Sequence, residues 1–273
     1  MTATTGHDAS APSGGAAAVL EAQHVTVRFG GVVALDDVSL HVPSGGFVGL
    51  VGPNGAGKTT LFGALSGLVR PRAGRVRLVG VDVTRASPQR RARLGLARTF
   101  QRLELFTELT VREHVVIAHR THERRDRRFL ADLVGLGSRV TAGEEELVDG
   151  VLSVLGLTPV ADRPAAFLPL GTGRLVEVAR ALATQPAVVL LDEPTSGLDR
   201  TDVDRLAETL ARSRRELGVA FALVEHNVEF VLGLAEHVTV LDFGHVIETG
   251  PPAHIRASEA VHAAYLGTTS DER

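Results

Sequence analysis

The sequence predicts an α/β fold, a mostly parallel sheet covered on both faces by helices, with an antiparallel β subdomain before it and a helical subdomain inserted in it. Three observations predict this. Short apolar runs at 188–191, 219–224 and 238–241 alternate with helical stretches, and strands that alternate with helices form buried parallel sheets. A glycine-rich turn at 52–57 follows directly on another apolar run and opens a helical pattern. The first runs instead alternate apolar with polar residues, as an antiparallel pair with one solvated face does.

Each element has its own reason. The first 18 residues are rich in Thr, Ala, Ser and Gly, with neither the basic start nor the apolar core of an export signal, so residues 1–20 are expected to be a disordered leader. Residues 24–29 and 38–42 read as strands joined by a loop containing Gly30 and Gly31. A buried strand at 47–51 precedes the glycine-rich turn, and the helix at 59–68 closes near Gly67. A strand pair turns around Gly80, and Ser87 followed by Pro88 starts a helix. Residues 111–160 are mostly helical, on apolar positions such as Val111, Val115, Leu147, Val151 and Leu155. The charged stretch 120–146 between them reads as a surface insertion. Helices at 174–184 and 201–217 separate the three buried strands, and residues 242–245 have hairpin-turn chemistry.

Composition excludes whole classes of function. The 273 residues are enough for a sizeable core, and a net charge of −3 offers no global basic field for nucleic acid. Cysteine is absent, which removes disulfides, thiolate nucleophiles and cysteine-ligated metals together. No apolar run reaches the length of a membrane-spanning helix. Of the 29 basic residues all but one are arginine, and the exception, Lys58, lies in the most informative motif.

That motif is Gly52-Pro53-Asn54-Gly55-Ala56-Gly57-Lys58-Thr59-Thr60. It fits G-x-x-x-x-G-K-[ST] between a strand and a helix, where backbone N–H groups and the helix N-terminus cradle phosphate. Lys58 would reach the β and γ phosphates of ATP, and the Thr59 hydroxyl would ligate Mg²⁺. The strand 188–191 runs into two carboxylates, Asp192 and Glu193. At the carboxyl end of a sheet strand such groups face the ligand crevice; Asp192 would hold Mg²⁺ through water and Glu193 would polarise the attacking water.

From these residues onward the sequence resembles the ATP-binding subunits of ABC transporters, over nearly all of residues 21–267. Ser196-Gly197-Leu198-Asp199 is similar to the family's D-loop, Glu225-His226-Asn227 to its switch histidine, and Arg98-Thr99-Phe100-Gln101 to its Q-loop. Phe29 falls where the family stacks an aromatic on adenine. Singly, Phe29 would read as core, Gln101 as a surface amide and His226 as a satisfied core histidine; six motifs in one order make them ligand contacts. The resemblance implies that Gln101 senses Mg²⁺ and the γ-phosphate, that His226 holds the γ-phosphate, and that Asp199 is a contact between two ATPase subunits. A finer resemblance, to branched-chain amino-acid transporter ATPases, rests on the run 98–111, the insertion after it and the ending Ala264-Tyr265-Leu266-Gly267. It implies that residues 101–111 receive a coupling helix of the membrane subunit.

One departure stands out. The family signature, usually Leu-Ser-Gly-Gly-Gln, aligns with Leu168-Pro169-Leu170-Gly171-Thr172. The resemblance implies a head-to-tail dimer in which Gly171 closes in trans over the partner's γ-phosphate. Pro169 lacks the serine hydroxyl and a backbone N–H, a loss of about 1.5–3 kcal/mol in a charge-assisted contact. Such a site is weakened rather than dead.

The expectations are therefore an ABC-type ATPase domain over 21–267, with a helical subdomain and insertion over about 102–184 and a tail at 268–273. ATP and Mg²⁺ are the cofactors. The partners are a second ATPase subunit, itself or a paralogue, transmembrane permease subunits and, indirectly, an extracytoplasmic solute-binding protein, on the cytoplasmic face of the membrane. The solute is a branched-chain amino acid or a related small polar molecule. A nucleotide-gated regulatory module with little hydrolysis is the alternative that Pro169 favours, and a soluble ABC protein of DNA repair or translation is disfavoured by the single phosphate loop. His119 and His122 beside Glu123, and the cluster Arg120, Arg124, Arg125, Arg127 and Arg128, are expected to be solvated.

Overall fold

A computed structural model describes residues 17–123 and 141–267. Two sheets organise the chain. The first has strand order β2-β1-β4-β5 and comprises β1 (Ala18–Phe29), β2 (Val32–Pro43), β4 (Ala73–Leu78) and the two-residue β5 (Val81–Asp82). All of its pairings are antiparallel. The second has order β10-β9-β3-β8-β7-β6 and contains β3 (Phe47–Val51), β6 (Leu96–Arg98), β7 (Val188–Asp192), β8 (Ala220–Val224), β9 (His237–Asp242) and β10 (His245–Gly250). It is parallel except at the β9–β10 hairpin.

Burial follows from this arrangement. Strands β3, β7 and β8 are buried at every residue, as strands covered on both faces must be. One core packs β3, β7 and β8 against the helices α3 (Val111–Glu123), α4 (Ala142–Val154) and α5 (Leu170–Leu182); it also takes in α6 (Arg200–Leu217) and α7 (Val228–Leu234). A second core joins the antiparallel sheet to the other side of the parallel one through α1 (Lys58–Ser66). The short helices α2 (Pro88–Arg93) and α8 (Pro252–Ala257) and the terminal α9 (Glu259–Gly267) complete the described chain.

Helix starts follow local chemistry. Ser87 Oγ accepts the Arg90 N–H at the head of α2, where Pro88 costs no hydrogen bond. Asp199 and Asn227 cap α6 and α7 in the same way. Fully buried Arg91 donates to the carbonyls of Ala64 and Leu65 at the end of α1 and to those of Thr84 and Ala86, fixing α2 against α1.

The structure corrects several expectations. Strand β1 begins at Ala18, inside the expected leader, because Val19 and Leu20 are core residues and Leu20 pairs with Val42 and Leu78. His119 is buried, with Nδ1 3.3 Å from the Ala183 carbonyl, rather than solvated. Arg120 is half-buried in an ion pair with Glu144. Arg124, Arg125, Arg127 and Arg128 lie outside the described residues, as do residues 1–16 and the tail at 268–273. Strand β6 and helices α7 and α8 had no counterpart in the sequence reading; each is too short to show a period.

Candidate nucleotide site and the adjoining apolar groove

The site is built where β3 and β7 end. Strand β3 feeds the 52–57 loop, and α1 opens at Gly57 with no side-chain cap, which leaves the helix's first N–H groups to whatever occupies the loop. Gly57 has φ 104°, and a Cβ there would stand 2.7 Å from the Ala34 carbonyl oxygen, so only glycine lets the loop pass beneath β2. Lys58 is almost wholly buried; its Nζ donates to the carbonyls of Gly52 (2.6 Å) and Pro53 (2.8 Å). Burial pushes the Lys58 pKa down, opposed by the charge of Glu193. Thr59, Asn54 and Gly55 are exposed at the rim, while Pro53 and Ala56 are buried and Thr60 is half-buried.

The two carboxylates at the end of β7 part company. Glu193 turns into the left-handed region at φ 47°, a conformation that costs a non-glycine residue about 1–2 kcal/mol. Its backbone N–H is tied to the Val224 carbonyl at 2.9 Å. Its carboxylate accepts from Gln101 Nε2 at 2.7 Å on one oxygen and lies 2.8 Å from His226 Nε2 on the other. A carboxylate only accepts, so this contact assigns the proton to Nε2 of His226. Asp192 instead accepts from Arg98 Nη2 at 2.7 Å, and Arg98 Nη1 donates to Ser66 Oγ at 2.9 Å.

The oxygen donors suit the predicted ion. The Thr59 hydroxyl, the Asp192 carboxylate and the amide oxygen of Gln101 are hard ligands, the kind Mg²⁺ takes while drawing the rest from water and phosphate. Among the described residues no cluster of three or more His, Cys, Asp or Glu side chains could hold a metal by itself.

Gln101, Glu193 and His226 are thus brought together, with Lys58 in electrostatic reach. Phe29 ends β1 as a residue 54 % exposed beside the Gly30–Gly31 turn. Gly171 and Asp199 lie elsewhere, at the corner of α5 and α6. Pro169 is the N-cap of α5 and makes no side-chain bond there, although its carbonyl accepts the Gly173 N–H at 2.9 Å. Gly171 is buried against the Asp202 carboxylate, and Asp199 Oδ1 accepts the Asp202 N–H at 2.8 Å.

Three residues that support this constellation escaped the sequence reading. Arg98 stood in the quoted Q-loop run, and its pairing with Asp192 joins residues 94 positions apart. Glu225, buried beside His226, accepts from the N–H and hydroxyl of Thr195 and from the His226 N–H, locking the loops that carry Glu193 and His226. Arg174 is a buried cation on α5, and its spacing of three residues from Glu177, the acid it pairs with, was the available signal.

A groove of about 630 Å³ runs beside the site between α2, α3 and α5. Exposed Leu68, Phe100, Phe106 and Ile117 give it an apolar floor. Arg98 lies 5.5 Å over the Phe100 ring and Arg180 6.0 Å over that of Phe106. Buried His114 accepts the Phe106 N–H on Nε2 at 3.0 Å, and its Nδ1 lies 2.8 Å from the Thr110 carbonyl. Among the described residues no helix is long and apolar enough to cross a membrane.

Comparison with known proteins places these features. The family description "ABC transporter" matches residues 35–196. The high-affinity branched-chain amino acid transport ATP-binding protein BraF of Pseudomonas aeruginosa is 36% identical over 251 residues, 91% of this chain and 98% of its own. LivG of Escherichia coli strain K12, with the same description, is 35% identical over the same shares. The sulfate/thiosulfate import ATP-binding protein CysA 2 of Chromobacterium violaceum is 40% identical over 233 residues, 85% of this chain and 58% of its own. Among solved structures, an ATP-binding cassette of an ABC transporter in its ADP conformation superposes with a TM-score of 0.78 at 28% identity, covering 92% of this chain and 99% of the other.

Proposed function

The chain belongs to the ABC transporter family of ATP-binding cassettes, the ATPases that drive transport, and from that premise we propose that it powers the uptake of branched-chain amino acids or a related small polar solute. The solute class rests on the two end-to-end relatives. The sulfate importer's similarity, confined to part of that protein, marks the transport of small solutes as the broader reading.

The observation that carries the hydrolytic reading is Glu193, held between Gln101 and His226 in electrostatic reach of Lys58. In this reading the loop amides and Lys58 bind the phosphates of ATP, and Phe29 stacks on the base. Lys58 is already desolvated, so exchanging two carbonyl acceptors for phosphate oxygens strengthens its contacts without a new burial cost. Glu193 orients water, and His226 exchanges its bond to Glu193 for one to the γ-phosphate. Thr59, Asp192 and Gln101 would hold Mg²⁺, which neutralises phosphate charge when bound. Catalysis is then positioning plus electrostatics.

Two such chains, or this one and a paralogue, form the working unit, each placing Gly171 and the start of α5 over the other's nucleotide. The apolar groove receives a coupling segment of the permease, which places the chain at the cytoplasmic face of the membrane; an extracytoplasmic solute-binding protein acts through that permease. Deletion of the chain should abolish uptake of labelled leucine, with recovery by the wild-type protein and none by Lys58→Ala. Unchanged leucine uptake alongside lost uptake of another solute would keep the transporter and reject the substrate class. The regulatory alternative, favoured by Pro169 at the cap of α5, predicts ATP binding without turnover even in the assembled transporter.

A further inference from the structure

Arg174 sits on the second turn of α5, five per cent exposed, and its guanidinium spans two loops. Nη1 donates to the Phe100 carbonyl at 3.3 Å and to Glu177 Oε2 at 2.9 Å; Nη2 donates to the carbonyls of Gln101 at 2.7 Å and Ser196 at 3.5 Å. Glu177, equally buried, accepts the Glu104 N–H on its other oxygen at 3.3 Å, and Arg180 donates to the Glu104 carbonyl at 2.7 Å. Packing supports the same junction independently. A Cβ on Gly173 would stand 2.9 Å from Leu103, so α5 is pressed directly onto the 100–105 segment.

A planar fork with five donors is what such a junction needs, because its bonds point at backbone carbonyls in fixed directions. Buried this deeply, those bonds are strongly directional and costly to leave unmade. Gln101 and Arg174 therefore cannot shift independently. Gln101 touches Glu193 in this chain's own nucleotide site, whereas the head of α5, five residues or fewer before Arg174, bears Gly171.

We propose that Arg174, seated by Glu177, is a positioning residue that couples this chain's own nucleotide site, through the 100–104 segment, to the signature end of α5 and hence to the nucleotide of the second subunit. The inference rests on the ATPase-dimer reading above. Arg174 touches no nucleotide in that reading, so its role is to transmit, and Phe100 and Glu177 in the wall of the groove make the same junction the point on which a docked permease segment bears.

The test is ATP-driven dimerisation in a Glu193→Gln background, followed by size-exclusion chromatography with light scattering, beside the affinity of the dilute chain for a fluorescent ATP analogue. The paired variant Arg174→Met/Glu177→Met avoids stranding one buried charge. It is expected to bind the analogue like the parent yet need about tenfold more ATP for half-dimerisation, with Arg174→Lys intermediate because a single ammonium cannot span three carbonyls. A lowered melting temperature with an unchanged ATP midpoint would reduce Arg174 to a structural residue and overturn the proposal. Failure of Glu193→Gln itself to dimerise would reject the underlying dimer reading, and the coupling with it.

Discussion

Glu193 is the residue on which the proposed hydrolysis turns. Its left-handed backbone aims the carboxylate at Gln101 and His226 instead of letting it follow the strand as Asp192 does. Glu193→Gln should keep ATP affinity while turnover falls by about a hundredfold or more, as for loss of a positioned general base; hydrolysis at the wild-type rate would remove Glu193 from the water-positioning role. Asp192 makes a different prediction. Its ion pair with Arg98 leaves the two side chains 12% and 9% exposed, and breaking a buried pair on one side costs about 3–5 kcal/mol. Arg98→Ala is therefore expected to lower the denaturation midpoint clearly, measured without nucleotide, whereas an unchanged midpoint would make the pair incidental. Neither pairing could be read from the chain, because sequence shows which residues carry chemistry but not which distant group neutralises them. The phosphate loop, Asp192 and Glu193 were legible because strand, turn and acid are local signals. Gly171 and Asp199 were legible only as motif members, since their partners in this chain are Asp202 and the head of α6.

Among elements, the buried strands and the hairpins were legible from apolar runs and turn residues, and their limits shifted by a few residues where a strand outran its alternation. β1 and β2 are each 12 residues long, longer than the alternating cores at 24–29 and 38–42, because register shifts at bulges break the period without ending the pairing. β6 was hidden for the opposite reason: three residues paired along β7 carry no periodic signal. The α1–α2 junction depends on Arg91, whose burial brings its pKa down to about 10. Arg91→Ala strands the carbonyls of Ala64 and Leu65 and should cost about 3 kcal/mol in a chemical denaturation curve. In α3, burial holds His114 below the usual imidazole value. The unfolded chain then takes the proton more readily, so His114's contribution is fully present above about pH 6.5 and is lost as pH falls through the lower folded-state value. Protonation also removes the acceptor of the Phe106 N–H. Hydrogen exchange at Phe106, corrected for its intrinsic pH dependence, should accelerate on acidification, and His114→Gln should blunt the change.

At the scale of the molecule, charge is segregated although the total is small. Between residues 70 and 103 there are ten arginines and a single carboxylate, Asp82, in a chain whose net charge is −3. Arg93, Arg98 and, from α5, Arg180 line the apolar groove, so a segment that docks there is favoured if it is acidic around an apolar anchor. Retention of the chain on membranes containing its permease should weaken when salt rises from about 0.1 M to about 1 M, which shortens the Debye length from about 10 Å to about 3 Å; retention indifferent to salt would leave the apolar floor as the sole determinant. Phosphate-loop residues, Glu193 and His226 gather at one place, while Pro169 and Gly171 stand at the α5–α6 corner, and in the proposed dimer the second subunit supplies that corner. The most direct measurement is the steady-state rate of ATP hydrolysis across a range of concentrations of the purified chain, with Lys58→Ala as the blank. A lysine-dependent rate that rises faster than linearly with concentration is the predicted result. A rate strictly proportional to concentration, from chain that remains monomeric with ATP, would contradict the shared site.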